Sequence, residues 1–98
     1  MEGVDSFVIG PVDLSISLGV PMGFDHPSFR DAVATILRAG RAARKPLGTA
    51  LYGGDMYSPD VYKGFVDQGY TLLLIGGDEW MLASGCRRVM ECVAPVRL

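Results

Sequence analysis

Short apolar runs alternate along the chain with longer segments in which apolar residues recur every three or four positions. The runs cover residues 6–9, 46–50 and 70–75, and each has the length of a buried strand. The periodic segments begin near residues 27, 59 and 78 and have the pattern of amphipathic helices. This alternation predicts an α/β fold of order βαβαβα, with parallel strands and right-handed connections. The pattern suits a barrel as well as an open sheet.

Polar residues and glycine mark the expected ends of these helices. Ser28 and Asp31 resemble a capping box at the start of the first helix. Ser58 and Asp78 stand where the N-caps of the second and third helices are expected, and Gly69 is expected to end the second. The apolar stripes predicted for the first and third helices are Phe29, Val33, Ile36, Leu37 and Gly40, and Leu82, Cys86, Val89, Met90 and Val93.

Composition narrows the class of protein. The chain has 98 residues, of which 49% are apolar and 20% charged, with a net charge of −2, as in one soluble globular domain. A basic excess typical of nucleic-acid binding is absent from the sequence, and no apolar run reaches the length of a membrane span. The amino end lacks an apolar secretory core, so we expect a cytoplasmic protein. Cys86 and Cys92 fall on different faces of a helix and are expected to stay reduced.

A single carboxylate, Asp13, follows the first strand, and its position suggests chemistry. The carboxyl ends of parallel strands form the edge at which α/β proteins bind ligands. Gly10 lets a ligand approach the backbone, and Pro11 has no N–H, so Val12 offers the first free amide to an anion. An aspartate beside a bound anion would repel it unless a cation lay between them, which indicates a divalent metal shared with an acidic substrate. The alternative is that Asp13 only caps the turn.

Several segments together resemble a known family. These are "GVDSFVIGPVDLSISLG", "HPSFRDAV", "ARKPLG" and "YTLLLIGGDEWMLASGCRRV". In this order they resemble the carboxyl-terminal part of the HpcH/HpaI aldolase/citrate lyase family, which comprises metal-dependent pyruvate aldolases. The resemblance implies that residues 1–98 are a partial domain, the last three units of a (β/α)₈ TIM barrel.

The resemblance also implies a function and a set of site residues. Asp13 matches the family's aspartate that binds Mg²⁺, Mn²⁺ or Co²⁺. Val12 matches the residue whose backbone N–H holds the pyruvate carboxylate, and Gly10 borders it. Gly77 stands where the family often has serine or valine beside the pocket, so it would widen the pocket. The implied reaction is metal-dependent cleavage of a 4-hydroxy-2-oxo acid to pyruvate and an aldehyde.

Other groups of the family's site have no counterpart in the 98 residues. These are a second metal-binding glutamate, a histidine and a substrate-binding arginine, so we expect the isolated chain to be inactive. The complete family member is expected to be a homo-oligomer that binds a small 2-oxo acid. One alternative is a non-catalytic chain that associates with full-length aldolase subunits. The other is a phosphate-binding module that uses the "GGD" loops at residues 53–55 and 76–78.

Three residues near these loops and helix ends are assigned secondary roles. His26 directly precedes Pro27 and is expected to lie at the surface or to cap a helix. Tyr52 and Tyr57 flank the loop after the second strand, where they would tune specificity or cover apolar surface. Three units alone leave the inner face and both edges of the sheet open, so the isolated chain is expected to self-associate.

Overall fold

The protein is described by a computed structural model that covers residues 2–51 and 54–96. Strands and helices alternate in the predicted order, with one extra helix after the first strand and a 3₁₀ turn after the second. The elements are β1 (Phe7–Ile9), α1 (Pro11–Ser17), α2 (Pro27–Ala42), β2 (Leu47–Leu51), the 3₁₀ helix Gly54–Tyr57, α3 (Pro59–Gln68), β3 (Leu72–Ile75) and α4 (Asp78–Val93).

The three strands form one parallel sheet of order β1-β2-β3. Phe7 of β1 pairs with Leu47 of β2, and Leu51 of β2 pairs with Ile75 of β3. All three strands therefore end at the same edge of the sheet, with Gly10 after β1 and Gly77 after β3. The prediction of parallel strands is confirmed. Tyr52, which was expected at the same edge after β2, lies outside the described residues.

The core lies between α2 and the helix-facing side of the sheet. Ile9, Leu37, Leu47 and Tyr70 form one buried cluster, in which Leu47 is only 3% exposed. Gly40 of α2 lies directly against Leu47, because a Cβ atom at position 40 would overlap the leucine side chain. The small residue thus lets the helix approach the strand closely, and the predicted α2 stripe faces the sheet.

The starts of two helices differ from the predictions. The N-cap of α2 is His26, whose Nδ1 accepts a hydrogen bond from the Ser28 N–H at 3.2 Å. The predicted capping box is therefore wrong, because Pro27 begins the helix and Ser28 already lies within it. The N-cap of α4 is Gly77, and Asp78 is the first helical residue. Both errors amount to one or two positions and leave the helices themselves as predicted.

The ends of α2 and α3 use the same turn with different residues. Gly69 follows α3 with φ +97°, and Arg44 follows α2 with φ +54°. After α2, the N–H of Arg44 donates to the Arg41 carbonyl and the N–H of Lys45 donates to the Gly40 carbonyl. This is a Schellman arrangement, in which the left-handed residue is usually glycine. Arg44 therefore holds a conformation that disfavours a side chain.

The other side of the sheet and the last helix are open to solvent. Leu72 and Leu74 are 42% and 44% exposed, and α4 buries none of its residues. Cys86 and Cys92 on this helix are exposed free thiols. The described part of the chain measures 62 × 28 × 23 Å, an elongated shape. Among the described residues, no helix has both the length and the apolar character needed to cross a membrane.

Candidate functional site

The candidate site begins where β1 ends and α1 starts. Gly10 is the N-cap of α1, Pro11 is its first residue, and Asp13 lies in its first turn. The Asp13 carboxylate covers Gly10, since a Cβ atom at position 10 would lie 2.5 Å from its Oδ2. A larger residue at position 10 would require the Asp13 side chain to move. The position of Asp13 thus gives a second reason for glycine here, beside the approach of a ligand.

Ser15 holds this turn in place, and the sequence analysis did not identify it. Its side chain is fully buried. The Ser15 hydroxyl donates to the Val12 carbonyl at 2.7 Å and accepts from the Met22 N–H at 3.0 Å. The Val12 carbonyl belongs to the peptide group that carries the Asp13 N–H, so the serine orients that amide. The spacing of three residues between Val12 and Ser15 is the sequence signal for this hydrogen bond, because a serine hydroxyl commonly bonds to the carbonyl three residues earlier in the chain.

Two backbone amides of the α1 turn are free to meet an anion. The first N–H groups of any helix lack a carbonyl partner within the helix. Pro11 has no N–H, and the Gly10 carbonyl accepts from Leu14 at 2.9 Å. The N–H groups of Val12 and Asp13 therefore remain available, as expected for Val12 from the sequence. They suit one carboxylate group of a small acid.

The Asp13 side chain is exposed and has no charged partner among the described residues. It lines a cavity of about 530 Å³, which we call the β1-edge cavity. This cavity lies along the unpaired edge of β1, between α1 and α2, and Gly10 and Leu47 also line it. The carboxylate thus lies in a cavity beside β1, which is an edge strand of the sheet.

The donor set fits a divalent cation only in part. An exposed carboxylate with free oxygen atoms is the kind of ligand that Mg²⁺ and Mn²⁺ prefer. Such sites use several oxygen ligands, and the described residues contain no group of three or more His, Cys, Asp or Glu side chains placed to share a metal. Asp13 can therefore supply one ligand, and the others would have to come from substrate, water or residues outside those described.

Gly77 lies at the same edge of the sheet but not in the same cavity as Asp13. Because β2 separates β1 from β3, the two strand ends are roughly 10 Å apart at the usual strand spacing. The Glu79 carboxylate covers Gly77, and a Cβ atom there would lie 2.9 Å from its Oε2. The predicted wider pocket is therefore partly filled by Glu79, which the sequence analysis did not consider.

Asp78 and Glu79 form an acidic pair beside Gly77. A hydrogen bond with the Glu79 side chain lowers the pKa of Asp78, and the Glu79 N–H, which donates to Asp78 Oδ1 at 2.9 Å, lowers it further. Asp78 therefore stays ionised at the start of α4, where the helix dipole favours negative charge. Two carboxyl groups at this loop disfavour a phosphate there.

The remaining candidates have structural roles. His26 caps α2, which is one of the two roles expected from the sequence. Arg30 pairs with Asp25 at 2.6 Å on the exposed surface. The Tyr57 hydroxyl lies 2.8 Å from the Ser84 hydroxyl and so links the 3₁₀ helix to α4. Tyr57 therefore contacts the last helix, a contact that was not predicted from the sequence.

Comparisons with known proteins agree with this architecture. No family model matches the chain. It is 43% identical over 56 residues to 2-keto-3-deoxy-L-rhamnonate aldolases of Escherichia coli strains K12 and O1:K1, a match that covers 57% of this chain and 21% of each relative. It superposes with a TM-score of 0.80 on an HpcH/HpaI aldolase/citrate lyase family protein from Burkholderia cenocepacia J2315. That match has 30% identity and covers 95% of this chain and 34% of the other.

A second solved structure shows the same fold. The HpcH/HpaI aldolase of Desulfitobacterium hafniense DCB-2 also superposes with a TM-score of 0.80, at 23% identity, covering 98% of this chain and 36% of that one. The chain thus spans about a fifth of the curated relatives and about a third of the solved chains that it matches. The fold consists of consecutive βα units of a partial TIM barrel. The resemblance to the carboxyl-terminal part of HpcH/HpaI aldolases is confirmed.

Proposed function

We propose that these residues form part of the active site of a divalent-metal-dependent carbon–carbon lyase. Its substrate would be a 4-hydroxy-2-oxo acid, cleaved to pyruvate and an aldehyde. The observation that carries the proposal is the position of Asp13, an exposed carboxylate at the carboxyl end of β1 beside two free backbone amides. The likeness to proteins named as aldolases supports the type of reaction.

Each residue of the α1 turn has a proposed task. Asp13 would hold the cation, and the N–H groups of Val12 and Asp13 would bind the carboxylate of the oxo acid. Gly10 leaves room for the Asp13 side chain, and Ser15 keeps the amides aimed at the substrate. A divalent cation bound there would act as a Lewis acid on the ketone oxygen while the carbon–carbon bond breaks. Gly77 would lie on the far side of β2, toward the aldehyde end of the substrate.

The described residues hold one carboxylate of a metal site that needs several ligands. We therefore expect the 98-residue chain by itself to release no pyruvate from an oxo acid. On this expectation, the α1 turn is not sufficient for the reaction, which also requires groups that the 98 residues do not supply.

A chimera tests the proposal in a complete barrel. In the Escherichia coli 2-keto-3-deoxy-L-rhamnonate aldolase, the matching segment is replaced by the 56 residues of this chain that align with it, extended to include residues 10–15. Metal-dependent pyruvate release and Mn²⁺ affinity are then measured. Asp13→Ala should lower metal affinity at least as much as the roughly 10–100-fold loss caused by changes around metal ligands. Asp31→Ala, on the exposed side of α2, is the matched control and should change neither quantity.

The result that contradicts the proposal is a folded, active chimera in which Asp13→Ala and Asp31→Ala have the same metal affinity. Asp13 would then serve only as a residue of the helix turn. Circular dichroism of both variants confirms that the comparison is between folded proteins.

A second candidate function is favoured by the exposed apolar surfaces. Such surfaces often mark sites of association, and here they comprise α4 and the open side of the sheet. The chain would then be non-catalytic and would associate with full-length aldolase subunits. Light scattering coupled to size exclusion, with the chain alone and mixed with the Escherichia coli aldolase, distinguishes self-association from a mixed complex.

The third alternative is phosphate binding at the two "GGD" loops. At residues 76–78 it is disfavoured by the carboxyl groups of Asp78 and Glu79. In the other loop, Gly53 lies outside the described residues.

A further inference from the structure

A second cavity lies on the helix side of the sheet, between α1, α2, α3 and the strands β1 and β2. It has a volume of about 330 Å³, and we call it the α2/α3 cavity. Phe29, Leu51 and Phe65 are among the mainly apolar residues that line it. The volume falls within the roughly 300–1,000 Å³ of small-molecule sites. An empty apolar cavity destabilises a protein in proportion to its volume, so an apolar occupant would stabilise this one.

Few polar groups reach the α2/α3 cavity. Thr49 directs its hydroxyl to the Ile9 carbonyl at 3.4 Å, and Gln68 donates to the Gly64 carbonyl at 3.1 Å. Tyr70 and Val12 also line the cavity, but most of its wall is apolar, so it offers few partners to the several hydroxyl groups of a sugar acid. It suits a hydrocarbon chain or a ring, which needs no hydrogen-bond partners.

Arginine side chains line a surface groove beside the α2/α3 cavity, and we take this groove as the mouth of the cavity. The groove, between α2 and α3, shares Phe29 and Gln68 with the cavity and carries Arg30, Arg38 and Arg41. Arg30 is paired with Asp25. Arg38 bonds only to the Thr35 hydroxyl, at 3.3 Å, and Arg41 bonds to the Gln68 carbonyl. Within the described part of the chain, neither Arg38 nor Arg41 has a carboxylate partner.

We propose that the α2/α3 cavity binds a small apolar monocarboxylic acid. Its hydrocarbon body lies among Phe29, Leu51 and Phe65, and its carboxylate meets the guanidinium groups of Arg38 and Arg41 at the mouth. A guanidinium fork matches a carboxylate in both charge and geometry. The cavity shares Pro11 and Val12 with the α1 turn, but Asp13 does not line it. Binding of the acid is therefore measured separately from the aldolase reaction and requires no metal.

Titration of the 98-residue chain with three probes tests this proposal. Octanoate has both a hydrocarbon body and a charge, octanol has only the body, and acetate has only the charge. By calorimetry, octanoate should bind roughly tenfold or more tightly than octanol, since hydrogen bonds to charged groups are strong. Acetate should not bind. In NMR spectra the shifts caused by octanoate should centre on Phe29, Leu51 and Phe65.

A matched pair of surface variants isolates the role of the mouth. Arg38→Gln should lower octanoate affinity toward that of octanol, because only Arg41 then remains to meet the carboxylate. Arg87→Gln, at an exposed position of α4, should leave the affinity unchanged. Both positions are exposed, so both variants are expected to fold. Equal affinities for octanoate and octanol, or equal effects of the two variants, would overturn the proposal. So would shifts centred on Leu72 and Leu74, because the acid would then lie on the open side of the sheet.

Discussion

The helices α2 and α4 have the same length and a similar amphipathic pattern, yet they have different surroundings. Each has 16 residues and follows a parallel strand or its turn. Helix α2 buries Phe29, Leu37 and Gly40, whereas α4 buries no residue, and Leu82, the first residue of its apolar stripe, is 70% exposed. The comparison teaches that an apolar stripe predicts a helix with a face to cover, but not what covers that face.

The difference arises from the close approach of α2 to the sheet. Gly40 allows α2 to lie against Leu47, and Leu37 completes the core cluster with Ile9. Contacts in the first half of α4 join it to the rest of the described chain, among them the hydrogen bond between Tyr57 and Ser84. Its stripe of large apolar side chains therefore stays in solvent, where such a surface favours association.

Truncation of one leucine in each helix should have the largest effect. Leu37→Ala removes a side chain that is 8% exposed and should lower the free energy of unfolding by about 2–5 kcal/mol. Leu82→Ala should change it by less than about 0.5 kcal/mol. Urea unfolding followed by circular dichroism measures both. Equal losses, which grow with protein concentration, would show that α4 is covered by another copy in solution.

Alanine at one glycine in each helix should give effects of opposite sign. At Gly40 the added methyl group overlaps Leu47 and should destabilise the protein by about 1–3 kcal/mol. Gly85 of α4 has open space around it, and alanine there should stabilise the helix by about 0.5–1 kcal/mol. Thermal unfolding of the two variants gives the signs directly. A loss of stability in Gly85→Ala would mean that a neighbour packs against α4.

Alkaline pH should destabilise the packed region through Tyr70. Burial raises the pKa of its hydroxyl above the ordinary value of 10.0, so the folded state favours the neutral phenol. The contribution of the Tyr70 phenol to the free energy of unfolding is complete below pH 10.0 and is lost as pH rises through the pKa of the folded state. For one proton, the free energy of unfolding falls by at most about 1.4 kcal/mol per pH unit. Tyr70→Phe should remove this slope, and Tyr57→Phe should retain it. Stability measured between pH 9 and pH 11 would refute the assignment if the two variants behaved alike.

The smallest expected effect on stability is at the carboxyl end of α2. Arg44 turns the chain back toward the sheet with φ +54°, whereas α4 ends at Ala94 with φ −52° and no such turn. Arg44→Gly should relieve the left-handed strain and stabilise the protein by about 0.5–1 kcal/mol. Arg44→Ala keeps a Cβ atom in that conformation and serves as the control. The same gain in both variants would trace the effect to the lost arginine charge and not to the backbone.

Much of the candidate site follows from its place after a strand. Parallel strands put Gly10, Val12 and Asp13 at one edge, and the sequence predicted that placement because every βα unit runs in the same direction. Ser15 could not be assigned in this way, since its hydroxyl bonds to Met22 only after the loop has folded back over α1. Glu79 was missed for a similar reason, because a long flexible side chain decides where its carboxylate lies.

The sequence by itself determined the order of strands and helices, their parallel arrangement and the resemblance to HpcH/HpaI aldolases. These features depend on repeats of two or 3.6 residues and on short motifs, which are local properties of the chain. Only the tertiary structure decided which apolar stripe is buried, which amides are held by Ser15 and where the α2/α3 cavity lies. Those features depend on the distances between elements far apart in the sequence, and packing at close range sets such distances.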